Sequence, residues 1–277
     1  MSNRMSLWRR IVSVACIVGV LALVLVSLPA PTAALADGHT DPVVVPPEFH
    51  PYGKTYGEWG AEWYKYVFSI PTYMNGDHAK PLNPLLDPTG AQCGVGQSGP
   101  VFFLVGTAGG TATRDDCLVP ADTALFFPIL DVEDNIREER QSNAPPGTTA
   151  ADMQTLVGKF MDTVTDMHVS VDGHPISNLS AYRGASPAPF AMQVPAPPSN
   201  NLETYYGYSH ISGKVHPTVS DGYWIMLAPL PPGKHTITFG GTQKGSVKLL
   251  NGSSYDIDFS VDVTYNLTVV PTGQTKP

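Results

Sequence analysis

Two uninterrupted apolar stretches constrain this chain more than any other feature: Val101-Phe102-Phe103-Leu104-Val105 and Ala124-Leu125-Phe126-Phe127-Pro128-Ile129-Leu130. Neither alternates. A strand with one wet face shows a period of two, whereas a strand covered on both faces reads as a continuous apolar run. The last strand, by contrast, alternates cleanly. Phe259, Val261, Val263, Tyr265, Leu267 and Val269 point one way, and Ser260, Asp262, Thr264, Asn266 and Thr268 the other. Further strand signals lie at His168–Val171, which meets the turn Asp172-Gly173, and at Pro189–Val194. Tyr223–Leu227 and His235–Phe239 flank Pro231-Pro232-Gly233. Many short strands separated by turns predict a mainly β fold, a β-sandwich with two packed helices.

The first of these helices is predicted over residues 55–69. Thr55 and Glu58 have capping-box spacing, and Pro71 closes the far end. Tyr52, Tyr56, Trp59, Trp63, Tyr66 or Val67, and Ile70 recur at steps of three and four, so they share one face. We read this stripe as a plug for the core. Gly57, Gly60 and Ala61 are small enough to let the helix backbone approach a sheet. The second helix is predicted over residues 150–166. Thr149 and Asp152 mark its start, and Leu156, Val157, Phe160, Met161 and Val164 its apolar face.

Residues 1–36 have the form of a signal peptide. Arg4, Arg9 and Arg10 precede an apolar run from Ile11 to Leu28, and Ala34-Leu35-Ala36 offers a small-x-small cleavage site. Cleavage there predicts a secreted or periplasmic protein starting at Asp37. Cys16 lies inside the apolar run, not after it, which argues against a lipoprotein. Residues 37–51 are Pro-rich and read as an extended arm, and residues 52–271 as a single domain, with a potential subdivision near Gly147. No later segment is apolar enough to span a bilayer.

Removing the leader leaves 13 basic residues against 24 acidic ones, a net charge of −11 on 241 residues. That balance argues against nucleic acid as a partner. Two cysteines remain, Cys93 before the first apolar run and Cys117 before the second. An exported chain favours pairing them as a structural disulfide. The sequence carries no signal for oligomeric state.

Four stretches together resemble a group of secreted bacterial proteins without an assigned activity. They are the Trp59-x-x-x-Trp63 helix ending in Ser69-Ile70-Pro71, Thr89-Gly90-Ala91-Gln92-Cys93, Gly99-Pro100-Val101-Phe102-Phe103-Leu104, and Cys117-Leu118-Val119-Pro120 followed by Phe126-Phe127-Pro128. Asp221-Gly222-Tyr223-Trp224 extends the likeness. The resemblance implies a secreted domain and no catalytic residues. Separately, Asp221–Gly240 looks like the penultimate hairpin of an immunoglobulin-like sandwich, a motif that carries no function.

Chemistry is sparse. The histidine pairs His168/His174 and His210/His216 are each six apart, about 20 Å along a strand, too far to share a metal. No serine sits in Gly-x-Ser-x-Gly, and the glycines from Cys93 to Gly99 do not form a phosphate loop. No cofactor is expected. Asp131, Glu133 and Asp134 form an acidic cluster, but an EF-hand starting at Asp131 fails, with Ile136 where Gly is needed and Ser142 where Glu is needed. We read the cluster as a solvated loop balanced by Arg137 and Arg140, with a looser calcium site as the alternative. Glu58 and Glu62 lie one turn apart beside the aromatic stripe. With the Asp131 cluster they are the candidate binding residues. The expected function is an envelope or extracellular binding or structural role, with a glycan or an envelope component as partner. The alternative is a secreted carbohydrate-active or other hydrolytic enzyme using these carboxylates, which would have to flank the scissile bond.

Overall fold

The computed structural model describes residues 43–197 and 200–271. The expected leader and its expected cleavage site lie outside the described residues. The described residues belong to one compact unit. In chain order its elements are α1 (Tyr56–Ser69), β1 (Val101–Phe103), β2 (Gly110–Arg114), β3 (Leu118–Pro120), β4 (Ala124–Asn135), α2 (Ile136–Gln141) and α3 (Ala150–Met161). There follow β5 (Val164–Val171), β6 (His174–Pro175), β7 (Phe190–Val194), α4 (Leu202–Tyr205), β8 (Gly213–Leu227), β9 (Gly233–Lys248) and β10 (Ser254–Val270).

Two sheets face each other. The first has the order β1-β4-β8-β7, with β1 parallel to β4 and the other pairs antiparallel. The second has the order β2-β10-β9-β5-β6, and β3 joins β2 in parallel pairing on β10. The fold is mainly β, as the sequence predicts. The continuous runs lie in the first sheet, which is covered on both sides. Along β4, Leu125, Phe127 and Ile129 enter the core shared with the second sheet, while Ala124 and Phe126 enter the core shared with α1. β8 divides the same way, Ile225 and Leu227 against Trp224 and Met226. The cleanly alternating β10 buries Val261, Val263, Tyr265, Leu267 and Val269 and turns its polar set outward.

α1 fills the outer side of the first sheet. Thr55 caps it through a complete capping box with Glu58. Trp59 and Trp63 are buried, and their indole N–H groups donate to the carbonyls of Pro51 and Leu104 at 2.8 and 2.9 Å. The small residues act as expected. A Cβ on Gly57 would lie 1.8 Å from the Ala185 carbonyl oxygen, and one on Gly60 would lie 2.7 Å from the Trp224 ring. The Asp172-Gly173 turn has φ of 51° and 82°, and it pairs Val171 with His174. Two positive φ values in a two-residue loop are what a tight hairpin requires.

The chain from 87 to 106 is irregular apart from β1 and is held at two points. Cys93 and Cys117 are bonded, with Cα atoms 5.6 Å apart. The buried Arg114 guanidinium donates to the carbonyls of Asp87, Val105 and Gly106.

Four expectations need correction. The second helix ends at Met161, not near 166, because Val164 enters β5 and pairs with Gln243 of β9. Asp221–Gly240 is not a hairpin: β8 and β9 lie in different sheets, and the Pro-rich turn carries the chain across. In its described part, from residue 43, the arm is extended around Val44, which bridges Leu227, and then makes two 3-10 turns at Pro47–Phe49 and Pro51–Gly53. The acidic cluster is no solvated loop, since β4 runs on through Asp131, Glu133 and Asp134 to Asn135. Among the described residues, no helix is long and apolar enough to cross a membrane.

Two tests follow from this packing. Trp63→Ala should destabilise the fold by about 3–5 kcal/mol, the cost of emptying a large aromatic site in a close-packed core. Chemical denaturation followed by circular dichroism checks it, and an unchanged midpoint would contradict the plug. Reducing Cys93–Cys117 should cost about 3.5 kcal/mol on the chain-entropy estimate for a loop of this length. Denaturation with and without reductant measures the difference.

Candidate functional site

The carboxylates are drawn inward by an irregularity in β4. Its register against β8 shifts between Pro128 and Leu130, so Ile129 and Leu130 both enter the core between the sheets. Alternation then resumes with Asp131 on the α1 side, where its carboxylate accepts from the Tyr64 hydroxyl of α1. A bulge of this kind re-aims every side chain beyond it.

Two short capped helices complete the group. Asn135 ends β4 and caps α2, its amide oxygen accepting from the backbone N–H groups of Arg137 and Glu138. This turns Glu138 back toward Glu133. Asn201 caps α4 by accepting from Thr204, and its side-chain N–H group donates to the carbonyls of Pro195 and Ile211. α4 thereby carries Glu203 into the protein, where the Asn135 amide donates to Glu203 Oε1 at 3.1 Å. One carboxylate oxygen from each of Glu133, Glu138 and Glu203 lies within 4.8 Å of the other two.

This acidic wall bounds a cavity of about 830 Å³. Asp131, Glu133, Asp134, Glu138 and Glu139 line it, with Tyr64, Tyr206 and Tyr208. α3 and β10 contribute Leu156, Val157, Phe160 and Phe259 to the same lining. None of the ion pairs among the described residues involves the acidic group. Glu133 Oε2, Asp134 Oδ2 and Glu203 Oε2 are buried and accept from no donor.

The electrostatics follow from that isolation. Burial pushes the Asp131 carboxyl up to about 6, against the Tyr64 hydrogen bond that favours its charge. Burial, with the neighbouring Glu139 charge, pushes Asp134 up to about 8. Glu133 and Glu138 rise well above the ordinary range, through burial first and then through neighbouring carboxylates, Glu203 and Asp134 beside Glu133, and Glu133 and Glu203 beside Glu138. Burial also raises Glu139 and Glu203. A buried carboxyl without a counter-charge is held neutral or must meet a cation.

Of the residues singled out from sequence, the structure gathers Asp131, Glu133 and Asp134 and leaves out Glu58 and Glu62. Glu58 accepts from Thr55 in the capping box, and that backbone hydrogen bond lowers its pKa. Glu62 is partly desolvated, yet Lys54 and Lys65, at 2.6 and 3.3 Å, hold it below its ordinary value. On α1 both lie well over 100° around the helix from Tyr64, the residue that reaches Asp131. The sequence reading missed Tyr64, Glu138, Glu139, Glu203, Tyr206 and Tyr208 as site residues. Asn135 and Glu138 have the cap-to-third-residue spacing that signals a helix start. Glu203 has no local signal, because only the tertiary fold brings α4 to β4.

No family model, curated protein or solved structure matches this chain.

The raised carboxyls fix the sign of a pH dependence. The folded state keeps protons that the unfolded chain releases near pH 4, so stability from these groups falls as pH rises. The window runs from about 4 through the folded values of about 6 for Asp131 and about 8 for Asp134. Chelator-treated protein should therefore melt at a lower temperature at pH 8 than at pH 5, and Asp134→Asn should flatten the slope. Thermal melts across that range check it; a melting temperature that climbs with pH would show the group is neutralised some other way.

Proposed function

We propose that this chain is an exported β-sandwich protein with a binding role, and that the cavity beside α1 receives a small polyhydroxylated ligand such as a segment of glycan. The carrying observation is the pairing of two surfaces in one cavity. Carboxyl oxygens with no donor of their own meet side chains from Phe160, Phe259 and the tyrosines. A sugar ring offers both complements, hydroxyl donors at its edge and an apolar face that stacks on aromatic rings. Carboxyls kept protonated by burial also donate, which suits hydroxyl groups that accept. Export is supported by the form of residues 1–36, and an oxidising compartment suits the Cys93–Cys117 bridge.

A hydrolytic reading draws on one observation of its own. Carboxyls whose acidities are pushed apart in one cavity can serve as general acid and general base. In that reading the wall from Asp131 to Glu139 does the chemistry, and Glu58 and Glu62 take no part.

One experiment separates the two. The protein from residue 37 onward is titrated calorimetrically against a panel of oligosaccharides, and the mixtures are analysed for cleavage. Saturable binding without cleavage, weakened at least about tenfold by Tyr206→Ala, is the expected result. Cleavage lost in Asp131→Asn would favour the hydrolase, and a panel that neither binds nor is cleaved would remove the glycan.

A further inference from the structure

We propose that Glu133, Glu138 and Glu203 hold a hard divalent cation of calcium's size. The inference does not depend on what fills the rest of the cavity, although Glu133 and Glu138 also line it.

Three observations carry it. The first is distance. Two oxygens on one Ca²⁺, each at about 2.4 Å, are at most about 4.8 Å apart. The three carboxylate oxygens already fall within 4.8 Å of one another, so a single point lies within about 2.8 Å of all of them, and small side-chain rotations without movement of the backbone bring them to ligand distance. The second is an orphaned acceptor. Glu203 is fully buried, and its Oε2 accepts from no donor, while Asn135 satisfies only Oε1. An unsatisfied buried carboxylate oxygen costs free energy unless a proton or a cation meets it. The third is the donor set. All three ligands are carboxylates, and neither histidine nor cysteine joins them. Oxygen-only sites select hard cations, whereas zinc and copper favour nitrogen and sulfur.

The surroundings are those of a supported site. Asn135 holds Glu203 with its amide N–H group and, through the cap of α2, fixes the approach of Glu138. Hydrogen-bonded partners behind the ligands set their orientation and strengthen metal binding. Protons shared among the three carboxyls are the competing way to neutralise the group, and they predict no response to metal.

The test uses the full mature chain, stripped with chelator and titrated with Ca²⁺ alone, with no organic ligand present. Binding is read by calorimetry and by the luminescence of Tb³⁺ sensitised from Tyr206 and Tyr208, with the melting temperature followed in parallel. Wild type should bind one Ca²⁺ and melt several degrees higher. Glu203→Gln should weaken Ca²⁺ at least about tenfold, while melting in chelator no lower than wild type, because a buried charge is removed. Glu138→Gln should lose the response in the same way, and it serves where the first variant fails to fold. Glu62→Gln, which removes one charge elsewhere, should bind as wild type does. Absence of binding at millimolar Ca²⁺, a preference for Zn²⁺, or full Ca²⁺ binding by Glu203→Gln would each overturn the site. A metal-free outcome leaves the glycan titration to stand or fall separately.

Discussion

The four-stranded sheet presents large apolar side chains on both faces, and the rest of the architecture exists to cover them. One face meets the second sheet, where Phe127 and Phe239 rings pack at 4.6 Å. The other meets α1, and here the limiting contact is Gly60 against the Trp224 indole. Any side chain at Gly60 would collide with that ring. Glycine inside a helix costs about 1 kcal/mol in propensity. The indoles of Trp59 and Trp63 offset that cost many times over at about 25 cal/mol per Å² of buried apolar area. Phe126 and Trp224 stack within this layer at 5.4 Å, so the helix, the sheet and their aromatic filling form one unit.

The acidic group depends on that unit. β4 belongs to the doubly covered sheet for its first seven residues and then continues, past its register shift, beyond the area that α1 fully seals. There the same strand exchanges leucine and phenylalanine for aspartate and glutamate. The charges are withdrawn from bulk water, Asp134 and Glu138 buried and Asp131 and Glu133 half-buried, because α2, α3 and α4 pack around the strand end. Burial without a counter-charge is the physical origin of every raised carboxyl in the cavity. A fold with no use for such a group would be more stable with apolar residues in its place. That cost is why the cavity, rather than the half-buried flank of α1 with Glu58 and Glu62, carries the functional reading.

Local rules made much of the fold legible in the sequence. The capping box at Thr55, the three-and-four spacing of the aromatics and the glycines at 57 and 60 determined α1 and its contact face, since capping, periodicity and steric size act within a few residues. Alternation in β10, continuity in β4 and the Asp172-Gly173 turn likewise report backbone geometry directly. What only the tertiary structure decided are matters of partner and sheet. A strand-turn-strand pattern does not say whether the second strand returns to the same sheet, so β8 to β9 read as a hairpin and is a crossover. Val164 could continue a helix or start a strand, and pairing with β9 decided it. The cluster from Asp131 to Asp134 looks solvated from its composition, because charge is cheap in water and nothing local reveals burial. Its burial, and the arrival of Glu203 from a helix about seventy residues away, are set by the register shift and the packing of two four-to-six-residue helices, which depend on contacts distant in sequence.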